Sequence, residues 1–168
     1  MLKIAPATSD VDLAEVRRLC WDYHSFLLNL SGTDRNITET FYPVAKYAAL
    51  MDGLAQEHAR PGGIILLARI DGKPVGCGMT HAIGDHTCEV KRVFVSDAAR
   101  GQGVAARLCT ALMDQARTDG FKTMVLDTSK SLTGAQNLYS KLGFKLRGPY
   151  QPIPERVLPH LLFYEIAL

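Results

Sequence analysis

Two glycines, Gly101 and Gly103, stand immediately ahead of an apolar stripe at helical spacing: Val104, Leu108, Ala111, Leu112 and Ala116. A helix start presents unpaired backbone N–H groups and a partial positive charge, and glycine lets an anion come close to them. The chemistry this spacing suits is the cradling of phosphate. Gly101-x-Gly103-x-x-Ala106 also matches a dinucleotide fingerprint, with Asp127 where an acid would hold a ribose. Against that, the preceding strand ends near Val95, too far upstream for the tight turn the fingerprint needs. A glycine-rich turn without a ligand is the third reading. Upstream, Glu89 lies in a strand and could act as a base if partial burial raised its pKa from about 4.3. Lys91 shares its face by alternation and would oppose that rise by pairing with it, whereas Arg92 should point to the other face.

The segment that must position these groups runs from Cys88 to Asp127 as strand, turn, helix and strand. Glu89–Val95 alternates charged and apolar residues, and Lys122–Leu126 is a second short apolar run behind Gly120. Taken in order, Lys3–Thr8 is a short strand, and Ser9 and Asp10 cap a helix reaching about Leu30. Ser31–Thr40 is a polar connection, followed by a helix from about Pro43 to Ala59 and a break at Arg60-Pro61-Gly62-Gly63. Ile64–Ile70 and Pro74–Ile83 are strands joined at Asp71-Gly72, a hairpin signal. Gly84-Asp85 returns the chain into the Glu89 strand, in a register that brings His81 near Cys88. Thr133–Leu142 is a helix ended by Gly143. Four prolines between Pro149 and Pro159 then shape a non-helical loop ahead of a tail running from Leu161 to Leu168.

The chain has 168 residues and 47% hydrophobic content, which suits one domain with its own core over residues 1–168. A net charge of +2, scattered along the chain, argues against nucleic acid. No apolar run has the length of a membrane span, and the N-terminus lacks a signal-peptide core, so a cytoplasmic protein is expected. Cys20, Cys77, Cys88 and Cys109 show no metal-ligand spacing, so reduced thiols and no metal site are expected. His58, His81 and His86 have no triad partners at recognisable spacing.

Framed from Arg100, the loop reads Arg-x-x-Gly-x-Ala, through Gly101, Gln102, Gly103, Val104 and Ala105. Ala135-Gln136-Asn137-Leu138-Tyr139-Ser140-Lys141-Leu142-Gly143-Phe144 follows one strand later. Together they resemble the two signatures of the GNAT (GCN5-related N-acetyltransferase) superfamily, and the resemblance runs from about Ile64 to the C-terminus. It implies an α/β GNAT fold, a mixed and mostly antiparallel sheet flanked by helices. It also implies an acetyl-CoA-dependent N-acetyltransferase acting on a small primary amine by direct attack on the thioester. The alternatives are a protein acetyltransferase, N-terminal or lysine, and a non-catalytic acyl-CoA-binding module. By the resemblance, the N–H groups of Gly101 to Ala106 grip the CoA pyrophosphate, and the backbone of Val93, Phe94 and Val95 takes the pantetheine arm like an added strand. Tyr139, a phenol with a reference pKa of about 10, protonates the departing thiolate, and Glu89 is the base or an acceptor ligand. Many relatives carry an asparagine where this chain has Leu132, so that cofactor contact is not carried over. The acceptor pocket is expected from Trp21 to Phe41, the Cys88 strand and the proline-rich tail; a homodimer is compatible with all of this.

Overall fold

A computed structural model describes all residues, 1–168. The chain runs β1 (Leu2–Pro6), α1 (Asp10–Leu28), α2 (Gly32–Phe41), α3 (Val44–Asp52), α4 (Leu54–Glu57), β2 (Gly63–Ile70), β3 (Lys73–Ala82) and β4 (Thr87–Val95). A 3-10 turn at Asp97–Ala99 leads to α5 (Val104–Thr118), β5 (Thr123–Ser129), α6 (Thr133–Lys141) and β6 (Lys145–Arg147), and a second at Leu158–His160 precedes β7 (Leu161–Ala167). The seven strands form one sheet in the order β1-β2-β3-β4-β5-β7-β6. Every pairing is antiparallel except β4 with β5.

The apolar run of β2 has period two over both faces, which is why it reads as continuous. Ile64, Leu66 and Ala68 face the core under α5, while Ile65 and Leu67 face a second core under α1 and α3. On α5, Val104, Leu108, Leu112 and Ala116 are all buried, one residue per turn. Each leucine contributes on the order of 1.5–3 kcal/mol by leaving water. No helix is long and apolar enough to cross a membrane.

The β2–β3 hairpin turns through Asp71 (φ 49°) and Gly72 (φ 83°), the left-handed pair that an Asp-Gly turn supplies. Where β2 starts, a Cβ on Gly63 would sit 2.3 Å from the carbonyl oxygen of Thr80 across the ladder. Gly63→Ala is therefore expected to destabilise the fold by about 1–3 kcal/mol, as overpacking does. Gly84→Ala, which meets nothing within 4 Å, should be silent in the same thermal melts.

Two local expectations change, and two strands take places the sequence does not announce. Ser31–Thr40 is a helix, not a connection: the Ser31 hydroxyl accepts from the Asp34 N–H at 3.3 Å and caps α2. Its buried face consists of Asp34 and Thr38, so no apolar period announces it. Asp34 is buried because the hydroxyls of Ser31 and Ser129 donate to its carboxylate. The expected Pro43–Ala59 helix breaks at Gly53 into α3 and α4. Strand β6 is short and fully exposed, and its sequence carries no apolar signal. Finally, β7 enters the sheet between β5 and β6.

Candidate active site

Strands β4 and β5 pair only over Thr87↔Thr123, Cys88↔Met124 and Glu89↔Val125, and then part. Beyond Glu89, β4 keeps β3 as neighbour on one edge, while β5 stays paired to β7 as far as Ser129. The gap between them is bordered by Val93, Phe94 and Val95 at the C-terminal end of β4. The sequence-predicted loop follows that end directly.

Gly101 (φ 77°) and Gly103 (φ 74°) both take left-handed backbone that other residues adopt only with strain. Gly103 is the N-cap of α5 and brings no capping side chain. The N–H groups of Gly101, Gln102, Gly103, Val104, Ala105 and Ala106 consequently donate to no acceptor in the chain. A serine or aspartate cap would have taken one of these donors. The Arg100 guanidinium turns away, with Nη1 2.7 Å from Asp97, Nε donating to the Val95 carbonyl at 3.4 Å and Cζ 4.8 Å from the Phe26 ring centroid. The Gln102 amide donates to the Ala98 carbonyl at 3.2 Å, which leaves its N–H as the group facing outward. A row of free donors at a helix start suits an anion.

A bulge interrupts β4. The register with β3 passes from Met79↔Lys91 to Cys77↔Phe94, so Arg92 and Val93 together oppose Gly78. Arg92 has φ 51°, one of only two left-handed residues besides glycine. This corrects the alternation argument: Arg92 shares the face of Lys91 instead of opposing it, and both line a cavity. The cavity, of about 140 Å³, lies between α1, α2, the bulge and the end of β5. Tyr23, His24 and Leu27 form one wall, Ile37, Tyr42 and Tyr47 another, and Asp127, Thr128 and Ser129 a third. Trp21, expected in this wall, instead packs edge-on against Tyr47, with ring centroids 4.9 Å apart.

Glu89 lies behind the cavity and is 2% exposed. Its register partner is His81, not the expected Cys88–His81 pair. A slip of one residue moves a side chain to the other face, so Cys88 packs into the α5 core instead. His81 Nε2 lies 2.8 Å from Glu89 Oε1, and Lys91 Nζ lies 3.4 Å from the same oxygen. The Tyr150 hydroxyl donates to Glu89 Oε2. Burial pushes the Glu89 carboxyl up, as the sequence predicts, but the bond from His81, the charge of Lys91 and the bond from Tyr150 outweigh it and hold it at about 2. The anticipated ion pair therefore exists, and the anticipated rise does not.

The Tyr150 hydroxyl also lies 3.3 Å from Asp127 Oδ2, which the Gln151 amide approaches at 3.3 Å. Asp127 lines the cavity, and its carboxyl is pushed up by burial, against the charge of Lys91 and with help from the negative charge of Glu89. The two carboxyls are thus shifted in opposite directions, Glu89 down and Asp127 up. A row of polar contacts, Asp127–Tyr150–Glu89–His81, leads from the cavity to a partly exposed imidazole. From the sequence Asp127 stands out only as a ribose ligand. The missed signal is a lone acid directly after the apolar run Met124–Leu126.

Tyr139 is 8% exposed, its ring packed on Phe144 and Tyr164 with centroids 5.7 and 5.9 Å away. Its hydroxyl has no partner in the chain, yet no fully buried side-chain oxygen or nitrogen lacks one. The ring is therefore core, and the hydroxyl keeps a small solvent contact. Burial, with smaller contributions from Cys109, Tyr23 and Asp127, pushes the phenol well above its usual value, so it stays protonated. The four cysteines are free and buried, and burial raises Cys88 and Cys109 to about 12.

The sequence profile of the acetyltransferase (GNAT) family matches residues 18–144. An uncharacterized N-acetyltransferase of Schizosaccharomyces pombe is 36% identical over 110 residues, 63% of this chain and 68% of that protein. The IAA acetyltransferase of Azospirillum brasilense is 40% identical over 101 residues, 58% of this chain and 64% of that protein, so the chain spans less than two thirds of it. Among solved structures, an acetyltransferase from Streptococcus agalactiae superposes with a TM-score of 0.76 at 20% identity, over 99% of this chain and 98% of that one. The PaiA N-acetyltransferase of Thermoplasma acidophilum, solved with coenzyme A, gives 0.70 at 15% identity, over 100% and 99%. At those identities the two structures speak for the fold alone. Sheet order, the parting of β4 and β5, and the family match over most of the chain lead to one conclusion: this chain belongs to the GNAT acetyltransferase family.

Proposed function

We propose that the chain transfers the acetyl group of acetyl-CoA to the amino group of a small-molecule acceptor, by direct attack and without a covalent enzyme intermediate. One observation carries this reading. The cavity is lined by Val90, Lys91 and Arg92 of β4 and by Asp127, Thr128 and Ser129 of β5, the residues just past the last rung joining these strands. An acceptor in the cavity therefore meets whatever lies in the gap. The free N–H groups of Gly101 to Ala106 would hold the pyrophosphate, and the β4 edge that β5 leaves at Val93–Val95 would hold the pantetheine arm. Acetyl-CoA supplies the activated acyl group and a thiol leaving group.

An amine is mostly protonated at pH 7 and must lose that proton to attack. Asp127 is assigned as the group that receives it, because it lines the cavity and its proton affinity is raised. Glu89, ionised and tied to His81, Lys91 and Tyr150, positions the row and keeps that affinity high through its charge. Tyr139 is assigned as the acid that protonates the departing thiolate.

The test is a panel of small amines with acetyl-CoA, followed by thiol release and by the mass of the product. Acetylated amine is expected. Bound acetyl-CoA without amine-dependent release would make the chain a binding module, and acetylation confined to peptides would make it a protein acetyltransferase.

Two variants separate the acids. Asp127→Asn should lower kcat/KM by about 10²-fold at neutral pH and recover part of it at high pH, where the amine is already neutral. Glu89→Gln should cost less and move the acid limb of kcat/KM to lower pH. The sign follows from charge: the negative Glu89 raises the Asp127 carboxyl, so removing it lets Asp127 ionise earlier as pH rises. If instead Glu89→Gln gave the steep loss with alkaline recovery while Asp127→Asn left the profile intact, Glu89 would be the base.

A further inference from the structure

We propose that the acceptor carries a carboxylate beside its amine, and that Arg92 binds that carboxylate inside the cavity. The inference rests on the small-acceptor reading and narrows it to amino-acid-like molecules.

Three arginines of the chain are neither buried nor fully exposed: Arg17, Arg69 and Arg92. Arg17 donates to the Met51 carbonyl at 2.9 Å, and Arg69 to the Asp12 carboxylate at 2.6 Å. Arg92 has no carboxylate or carbonyl partner, and the oxygen beside it is the Tyr47 hydroxyl. Its Nη1 has only His58 Nε2 at 3.5 Å and the Met79 sulfur at 3.9 Å, and its guanidinium stands 5.9 Å from the Tyr47 ring centroid. Nε and Nη2 bond no carboxylate or carbonyl of the chain, while no fully buried side-chain nitrogen is left without a partner. These donors therefore open into the cavity that Arg92 lines.

A guanidinium withdrawn from water without a carboxylate or carbonyl partner is costly unless a ligand supplies one. Its planar fork of donors matches a carboxylate in two parallel hydrogen bonds. The backbone goes out of its way to place it there, since the bulge and the left-handed φ of Arg92 turn the side chain off its regular face. His58 supports the arrangement from behind. Its Nδ1 bonds the Thr80 carbonyl at 2.9 Å, and burial holds the ring neutral, near pKa 4, so that Nε2 can accept from Arg92. The neighbouring cation, Lys91, is already paired with Glu89 at 3.4 Å. On the β5 wall, Asp127 offers the complementary negative charge for the acceptor's amine. Tyr23, Tyr42, Leu27 and Ile37 also line the cavity and suit an apolar side chain on the same molecule. An α-amino acid with an apolar side chain matches this set of groups.

Matched pairs test this: L-phenylalanine against 2-phenylethylamine, and L-leucine against 3-methylbutylamine, each with saturating acetyl-CoA. In the parent, kcat/KM should favour the acid by about 10- to 100-fold, the range of a charged hydrogen bond. Arg92→Gln should bring the ratio near one, mainly through KM, and Arg92→Lys should fall between. 3-Phenylpropionate, which has no amine to acetylate, should inhibit competitively against the amino acid and lose at least about tenfold in affinity in Arg92→Gln. Acetyl-CoA binding and thermal melts of the same variants show whether the fold is kept; should Arg92→Gln not fold, the drop in the Arg92→Lys ratio decides. Decarboxylated amines turned over as well as the acids, or a ratio untouched in the variants, would overturn the carboxylate anchor and leave the small-amine reading standing. No product from any member, with acetyl-CoA bound, would overturn both.

Discussion

Tyr139→Phe is expected to lower kcat by about 10²-fold or more, the range of general-acid loss, with acetyl-CoA affinity within a few-fold of the parent. The substitution isolates the proton. The ring that packs on Phe144 and Tyr164 stays, and the lost hydroxyl breaks no hydrogen bond within the protein. Thermal stability should therefore be unchanged, which separates this loss from damage to the fold. Because burial pushes the phenol above its usual range, the parent should hold its kcat toward alkaline pH, with no loss of the acid at pH 8 or 9. Pre-steady-state kinetics must first show that chemistry limits turnover. An unchanged rate under that condition would assign Tyr139 to the core alone.

Gly103→Asp should abolish productive acetyl-CoA binding. A carboxylate at the start of α5 would stand within about 5 Å of a bound phosphate. At an effective dielectric near 20, that repulsion costs about 3 kcal/mol per charge pair, two orders of magnitude in Kd. The left-handed φ of 74° adds strain for any side chain, although no atom blocks a Cβ there. Gly103→Asn separates the two effects, since asparagine tolerates this backbone and carries no charge. Calorimetry should find binding weakened severalfold in the asparagine variant and lost in the aspartate variant. If both bind acetyl-CoA like the parent, and the parent prefers a dinucleotide, the loop holds a different ligand.

Much of this site is legible before folding, and the reason is local. Gly101 and Gly103 mark the cradle because glycine takes left-handed backbone most readily, and the α5 stripe marks the helix whose first N–H groups stay free. The Asp71-Gly72 turn sets one hairpin for the same kind of reason. Tyr139 is found through its neighbours in the second signature.

What only the tertiary structure decides depends on residues far apart in the chain. Alternation puts Arg92 on the wrong face, because a bulge is a property of two paired strands and not of one. Burial argues for a raised Glu89, but His81 and Tyr150 arrive from β3 and from the proline-rich loop and reverse the sign. Asp127 gains its raised carboxyl only when the end of β5 is enclosed beside Glu89. The polar helix α2 has no apolar period because its buried face is satisfied by Ser129, on a strand that folds against it from much later in the sequence. Patterning along the chain thus specifies elements and donors, whereas charge state and side-chain direction at the site are set by long-range partners.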